Sequence, residues 1–143
     1  FWGVEEKFRK LPGVHKTEVG YSGGNTNNPS YELICVGDTN HAEVVLVEYD
    51  EKKISYEKLL DHFWECHDPT TLNRQGPDVG TQYRSVIFYF NDIQKKISNQ
   101  SMINFAAKKK LNIVTEIKKA KEYYKAEEYH QKYILKTGQY CAS

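Results

Sequence analysis

The chain has 143 residues, of which 39% are hydrophobic and 27% charged, with a formal net charge of +1. That length suits one domain with its own core, and the composition is neither that of a disordered tail nor that of a disulfide-stapled miniprotein. No apolar run approaches the ~20 residues of a membrane helix, and the balanced charge lacks the basic excess of a nucleic-acid binder, so neither a membrane nor a nucleic acid is expected as a partner.

Val4, Phe8 and Leu11 recur at helical spacing and predict a helix over residues 1–10, stopped by Pro12-Gly13. Residues 14–21 alternate and carry β-branched side chains, which predicts a strand running into the turn Ser22-Gly23-Gly24-Asn25. A short helical turn follows Pro29, through Tyr31, Leu33 and Ile34. Residues 42–49 (AEVVLVEY) read as a valine-rich strand ended by Asp50. Ser55 can cap a helix with Tyr56, Leu59, Leu60, Phe63 and Trp64 on one apolar face. Residues 67–81 make a long loop with two prolines and two glycines, and such a loop in a compact domain points to function. Residues 84–90 predict a buried strand, and Asn91 caps a lysine-rich helix to about Lys110. A further strand over 113–117 and a last helix over 122–136 follow. Strands alternating with helices, in a chain too short for a doubly wound sheet, predict an α+β sandwich with helices on a mainly antiparallel sheet.

Candidate chemistry lies where a core or a plain loop does not need a polar residue. Glu43 stands at the edge of an apolar strand; a glutamate entering an apolar pocket has its pKa raised, as a proton donor near neutral pH requires. The alternative is a solvated strand end. Tyr31, Tyr83 and Tyr140 lie beside loops or turns, although with eleven tyrosines any one of them could simply pack. Asp78 sits in the Gln75-Gly76-Pro77-Asp78 turn, where capping is the plain role.

The three cysteines, Cys35, Cys66 and Cys141, are too scattered for a disulfide framework and point to a reducing compartment, the cytoplasm by default. Cys66-His67-Asp68 resembles a metal or nucleophile set, but no second ligand pair is visible, so no metal and no cofactor is expected. Cys35, between Ile34 and Val36, reads as an inert buried thiol. Cys141 lies in a small polar segment near the C-terminus, where a thiol can swing to a partner and act as a resolving cysteine, or stand as a free terminal thiol.

Phe1-Trp2-Gly3, Gly20-Tyr21-Ser22-Gly23-Gly24, His41-Ala42-Glu43-Val44, His67-Asp68-Pro69-Thr70 and Gln75-Gly76-Pro77-Asp78-Val79-Gly80-Thr81-Gln82-Tyr83-Arg84 stand in the order found in a known family. With Ala126-Glu127-Glu128-Tyr129-His130-Gln131, which resembles that family's last helix, they make the chain similar to the A-type peptide methionine sulfoxide reductases over almost its whole length. The resemblance implies a two-layer α/β sandwich with a ferredoxin-like core. It also implies reduction of methionine-S-sulfoxide, free or in proteins, with thioredoxin or another dithiol as reductant. Phe1 and Trp2 match the aromatic pair that holds the substrate's S-methyl group. Glu43 matches the acid on the sulfoxide oxygen, Tyr31 and Tyr83 the two phenols that help hold it, and Asp78 a polar pocket residue. Cys35 falls on a non-catalytic position.

The family's nucleophilic cysteine immediately precedes the Phe-Trp-Gly motif, and nothing precedes Phe1 here. The expectation is therefore a single catalytic domain over 1–143 whose first strand and nucleophile lie upstream, the nucleophile being cysteine or selenocysteine. In the tail Gln139 replaces a glycine and the spacer is short, which leaves Cys141 the expected resolving thiol and Cys66 the alternative. Two rival readings stand beside the enzyme: a binding module that grips methionine sulfoxide without reducing it, and a metal-binding regulator built on Cys66-His67.

Overall fold

The computed structural model describes residues 2–24, 30–31 and 41–133. Helix α1 (Trp2–Arg9) turns Phe8 inward against Ile54 and Leu59, with Val4 and Leu11 closing the same cluster. Pro12-Gly13 ends it as expected. Gly13 takes φ +94°, a value only glycine adopts without strain, and a Cβ there would also lie 2.8 Å from Ile54.

Strand β1 (Val14–Ser22) pairs antiparallel with β2 (Ala42–Tyr49), from Val14 opposite Tyr49 to Ser22 opposite Ala42. The helix α2 (Tyr56–Cys66) starts at Ser55, whose hydroxyl accepts the Lys58 N–H at 3.1 Å, and buries Leu59, Leu60 and Trp64. The 67–81 stretch is more ordered than a plain loop. It folds into a hairpin of β3 (Arg74–Gln75) and β4 (Asp78–Val79) and a 3-10 turn at Thr81–Tyr83.

Strand β5 (Val86–Tyr89), helix α3 (Asp92–Lys109) and strand β6 (Glu116–Lys119) form a crossover unit, because β5 and β6 are parallel and need a long connection. Asn91 caps α3 by accepting the Gln94 N–H at 2.9 Å. Leu60, Trp64 and Ile87 form the core beneath it, with Phe105 and Ile117 around them. The Trp64 indole N–H donates to Ser101 at 2.9 Å, which satisfies its polar edge inside that core.

Three expectations need correction. The strand expected over 113–117 occupies Glu116–Lys119, placed there by its register with Val86–Tyr89. The strand expected over 84–90 is the shorter β5. The expected last helix over 122–136 is not helical through its described part: β7 (Tyr123–Lys125) adds to the free side of β1, with Tyr123 opposite Ser22, and a 3-10 turn at Glu128–His130 follows. Two adjacent tyrosines suit a strand, and pairing with Gly20 and Tyr21 outweighs the helical preference of the flanking Lys and Glu residues. Gly20 fits this packing because a Cβ there would come within 2.5 Å of the Tyr123 ring. Residues 134–136 lie outside the described residues, as do Leu33 and Ile34 of the turn after Pro29. The α+β architecture with a mainly antiparallel sheet is the one observed.

Candidate active site

Glu43, the second residue of β2, stands directly opposite Tyr21 of β1, so their side chains share one face of the sheet. Its Oε2 is buried and has no hydrogen-bond partner among the described residues. Burial pushes the Glu43 carboxyl above its ordinary range, and the charge of Asp78 pushes it the same way. A carboxyl that holds its proton more tightly than usual and has an oxygen left open suits a proton donor.

Glu43 and Tyr83 line one apolar cavity of about 280 Å³, together with Val45 and Val47 of β2 and Val86 and Phe88 of β5. Tyr83 ends the 3-10 turn that follows the Asp78 hairpin, and that turn packs on β2. The long loop thus carries Asp78 and Tyr83 to the Glu43 end of the sheet.

Trp2 and Tyr31 meet around His130. The Trp2 indole N–H donates to His130 Nδ1 at 3.0 Å, and its ring stacks on Tyr133 with centroids 4.0 Å apart. The Tyr31 ring lies 4.5 Å from His130. Glu127 joins the two groups: it accepts the Tyr21 hydroxyl at 3.1 Å and the Tyr31 backbone N–H at 3.1 Å. Burial pushes the Glu127 carboxyl up, but these hydrogen bonds outweigh it and hold it below its usual range. Glu43, Tyr21, Glu127, Tyr31, His130 and Trp2 form one chain of neighbours. Phe1, Cys35 and Cys141 lie outside the described residues, as does Tyr140.

Cys66 and His67 do not form a reactive pair. Cys66 Sγ–H donates to the Phe63 carbonyl at 3.3 Å, and His67 Nδ1 lies 2.6 Å from the same oxygen. His67 Nε2 lies 2.6 Å from the Ser85 hydroxyl, so both ring nitrogens are engaged away from the thiol. Burial pushes the Cys66 thiol up to about 11, which leaves little thiolate at neutral pH. Among the described residues no group of three or more His, Cys, Asp or Glu side chains is placed to hold a metal.

The family model described as peptide methionine sulfoxide reductase matches residues 1–143. Peptide methionine sulfoxide reductase A1 of Arabidopsis thaliana is 54% identical over 140 residues, which is 98% of this chain and 69% of that protein. The chain belongs to the peptide methionine sulfoxide reductase family. The crystal structure of Mxr1 from Saccharomyces cerevisiae in reduced form matches with a TM-score of 0.94 at 40% identity, over 99% of this chain and 83% of that one. The structure of Mxr1 in complex with Trx2 matches with a TM-score of 0.65 at 28% identity, over 93% of this chain and 77% of that one. The chain spans 54 to 69% of the length of the plant reductases it resembles.

The motif resemblance to this reductase family is borne out. Tyr21, Glu127 and His130 stand in the sequence only within motifs, with no local sign of their part in the site. The Glu127–His130 segment stood out as a motif, but a helical reading would have turned these side chains to several faces of one cylinder. The 3-10 turn instead sets Glu127 under Tyr31 and His130 against Trp2.

Proposed function

We propose that this chain is the catalytic domain of a peptide methionine-S-sulfoxide reductase whose nucleophile stands immediately before Phe1. A residue there would sit at the start of α1, where the helix dipole favours a thiolate or selenolate. The observation that carries the reading is Glu43, a buried carboxyl set opposite Tyr21 with an oxygen that has no partner among the described residues. The nucleophile attacks the sulfoxide sulfur, and Glu43 gives its proton to the sulfoxide oxygen. Tyr31 and Tyr83 hydrogen-bond that oxygen as charge develops, and Asp78 completes the polar wall. Phe1 and Trp2 hold the methyl group. The sulfide leaves as methionine, and the oxygen stays on the nucleophile as a sulfenic or selenenic acid. Cys141 condenses with it, releasing water and forming a disulfide or selenenylsulfide. A dithiol then takes that bond over by exchange. The complex of the yeast relative with Trx2 supports a thioredoxin in that role.

Family membership favours the enzyme over a module that only binds the sulfoxide, and the engaged nitrogens of His67 argue against a metal regulator. We place the protein in the cytoplasm on cysteine usage; no described helix is long and apolar enough to cross a membrane. A relative is named chloroplastic, so imaging of the tagged full-length polypeptide decides this.

Turnover of a methionine-S-sulfoxide peptide by the full-length polypeptide tests the roles. Glu43→Gln should lower the rate about 10²–10⁴-fold, the range of a lost general acid. The rate should fall as pH rises through the elevated pKa of Glu43, because only the protonated form donates. Cys141→Ser should spare a single turnover and stop thioredoxin-driven recycling. Near-normal rates for Glu43→Gln would remove it from the mechanism, and unaffected recycling would remove Cys141.

A further inference from the structure

Trp2, the first residue of α1, meets the substrate's methyl group on the reading above, and an indole at a helix start can turn about two side-chain bonds. Its plane is fixed here from two sides. Tyr133 stacks on one face with an interplanar angle of 15°, and the indole N–H is donated to His130 Nδ1 at 3.0 Å. The acceptor is itself closely packed: His130 is 1% exposed, with the Tyr129 ring 4.0 Å and the Tyr31 ring 4.5 Å from its own. Its backbone N–H closes the 3-10 turn onto Glu127 at 2.9 Å. Gln131 then fastens that turn to β1. Its amide oxygen accepts the Val19 N–H, and its amide nitrogen donates to the Val19 carbonyl, both at 2.9 Å.

We propose that His130 is a positioning residue for the reductase reaction, holding the Trp2 indole in the orientation that receives the sulfoxide's methyl group. The inference rests on the reading of Trp2 as part of the methyl site. Packing alone does not call for histidine. A phenylalanine would fill the space between Tyr31, Tyr129 and Trp2, but it offers no acceptor at the Nδ1 position. That acceptor exists only on the neutral ring with its proton on Nε2. Burial favours the neutral form, against the opposing pull of Glu127. Asparagine places its Oδ1 near the position of Nδ1 and would keep the acceptor without the ring.

Steady-state kinetics of the full-length polypeptide on a methionine-S-sulfoxide peptide separate these roles. His130→Phe should raise KM about tenfold, with a smaller change in kcat, the size expected for losing one buried hydrogen bond. His130→Asn should recover KM to within about threefold. In a Trp2→Phe background, which has no indole N–H, His130→Phe should add nothing further. Equal KM for His130→Phe and His130→Asn, or an unchanged cost of His130→Phe in the Trp2→Phe background, overturns the proposal. If Trp2→Ala leaves KM unaltered, the methyl-site reading fails and takes the inference with it. If Trp2→Ala raises KM while His130→Phe does not, His130 alone is excluded. Should His130→Phe fail to fold, hydrogen exchange of the Trp2 indole proton in the unmutated protein carries the test. An exchange rate equal to that of free indole overturns the proposal, and a strongly slowed rate supports it.

Discussion

Glu43 and Tyr21 face each other across β1 and β2, and burial acts on both in the same direction, raising each above its ordinary pKa. For Glu43 this has a cost in stability whose sign follows from linkage. Between the ordinary glutamate value, about 4.3, and the raised folded value, the folded protein keeps a proton that the unfolded chain has lost. Stability therefore falls as pH rises through that window, and the deficit persists above it. Glu43→Gln removes the ionisable group, so the variant should be more stable than the parent at pH 7. The two should converge below the ordinary glutamate range, where both states of the parent are protonated. Urea unfolding at neutral and acid pH measures this. A variant less stable at pH 7 would mean that Glu43 is fully paired in the folded protein. The same substitution is expected to lower turnover, which is the usual opposition between stability and a strained functional group.

Helix α1 shows how an element is held where its first turn is needed. Glu5, 1% exposed, accepts the Thr17 hydroxyl at 2.9 Å and the Lys132 backbone N–H at 2.7 Å. One carboxylate thus ties the helix that carries Trp2 to β1 and to the residue after Gln131. Glu5→Ala strands the buried Thr17 hydroxyl and the half-buried Lys132 N–H and should cost about 1–3 kcal/mol by urea unfolding, the range for an unsatisfied buried group. A loss below about 0.5 kcal/mol, the level of ordinary surface changes, would exclude the clamp. The sequence displays α1 through Val4, Phe8 and Leu11, and α2 and α3 through Ser55 and Asn91, because periodicity and capping are local properties. Nothing local separates Glu5 from Glu6, although Glu5 ties together distant segments and Glu6 pairs with Arg9 and Lys10 on its own helix. The departure of residues 123–130 from the expected helix has the same cause. Their strand exists only because β1 offers a free edge, and their turn only because Gln131 reaches Val19. Glu43 and Tyr83 were legible as candidates, whereas the Glu127–His130 support for Tyr31 and Trp2 depends on contacts across more than ninety residues of chain.

At the scale of the whole molecule, the described strands outside the β3-β4 hairpin form a three-stranded sheet ordered β2-β1-β7 and a separate parallel pair β5-β6. β2 pairs only with β1, and β5 only with β6, so each keeps an open edge among the described residues. Val45, Val47, Val86 and Phe88 of these two strands line the same apolar cavity. Unpaired strand edges bordering an apolar space are unfavourable, because their backbone donors and acceptors lose water without gaining partners. The order of the described elements, α1, β1, β2, α2, β5, becomes the ferredoxin-like β-α-β-β-α-β order if one strand precedes α1. In that arrangement each β-α-β unit is split: its two parallel strands are separated by the width of one other strand. A strand leading into α1 would then lie between β2 and β5, antiparallel to both, and would fuse the two sheets into one. It would also deliver its last residue to the start of α1, beside Trp2. Amide hydrogen exchange of the full-length polypeptide tests this placement. The β2 amides directed away from β1, and the β5 amides directed away from β6, should be protected about as strongly as those within the β1–β2 ladder, by roughly 10³-fold or more for core strands. Rapid exchange confined to those outward amides would show both edges open, and the upstream segment would have to pack elsewhere.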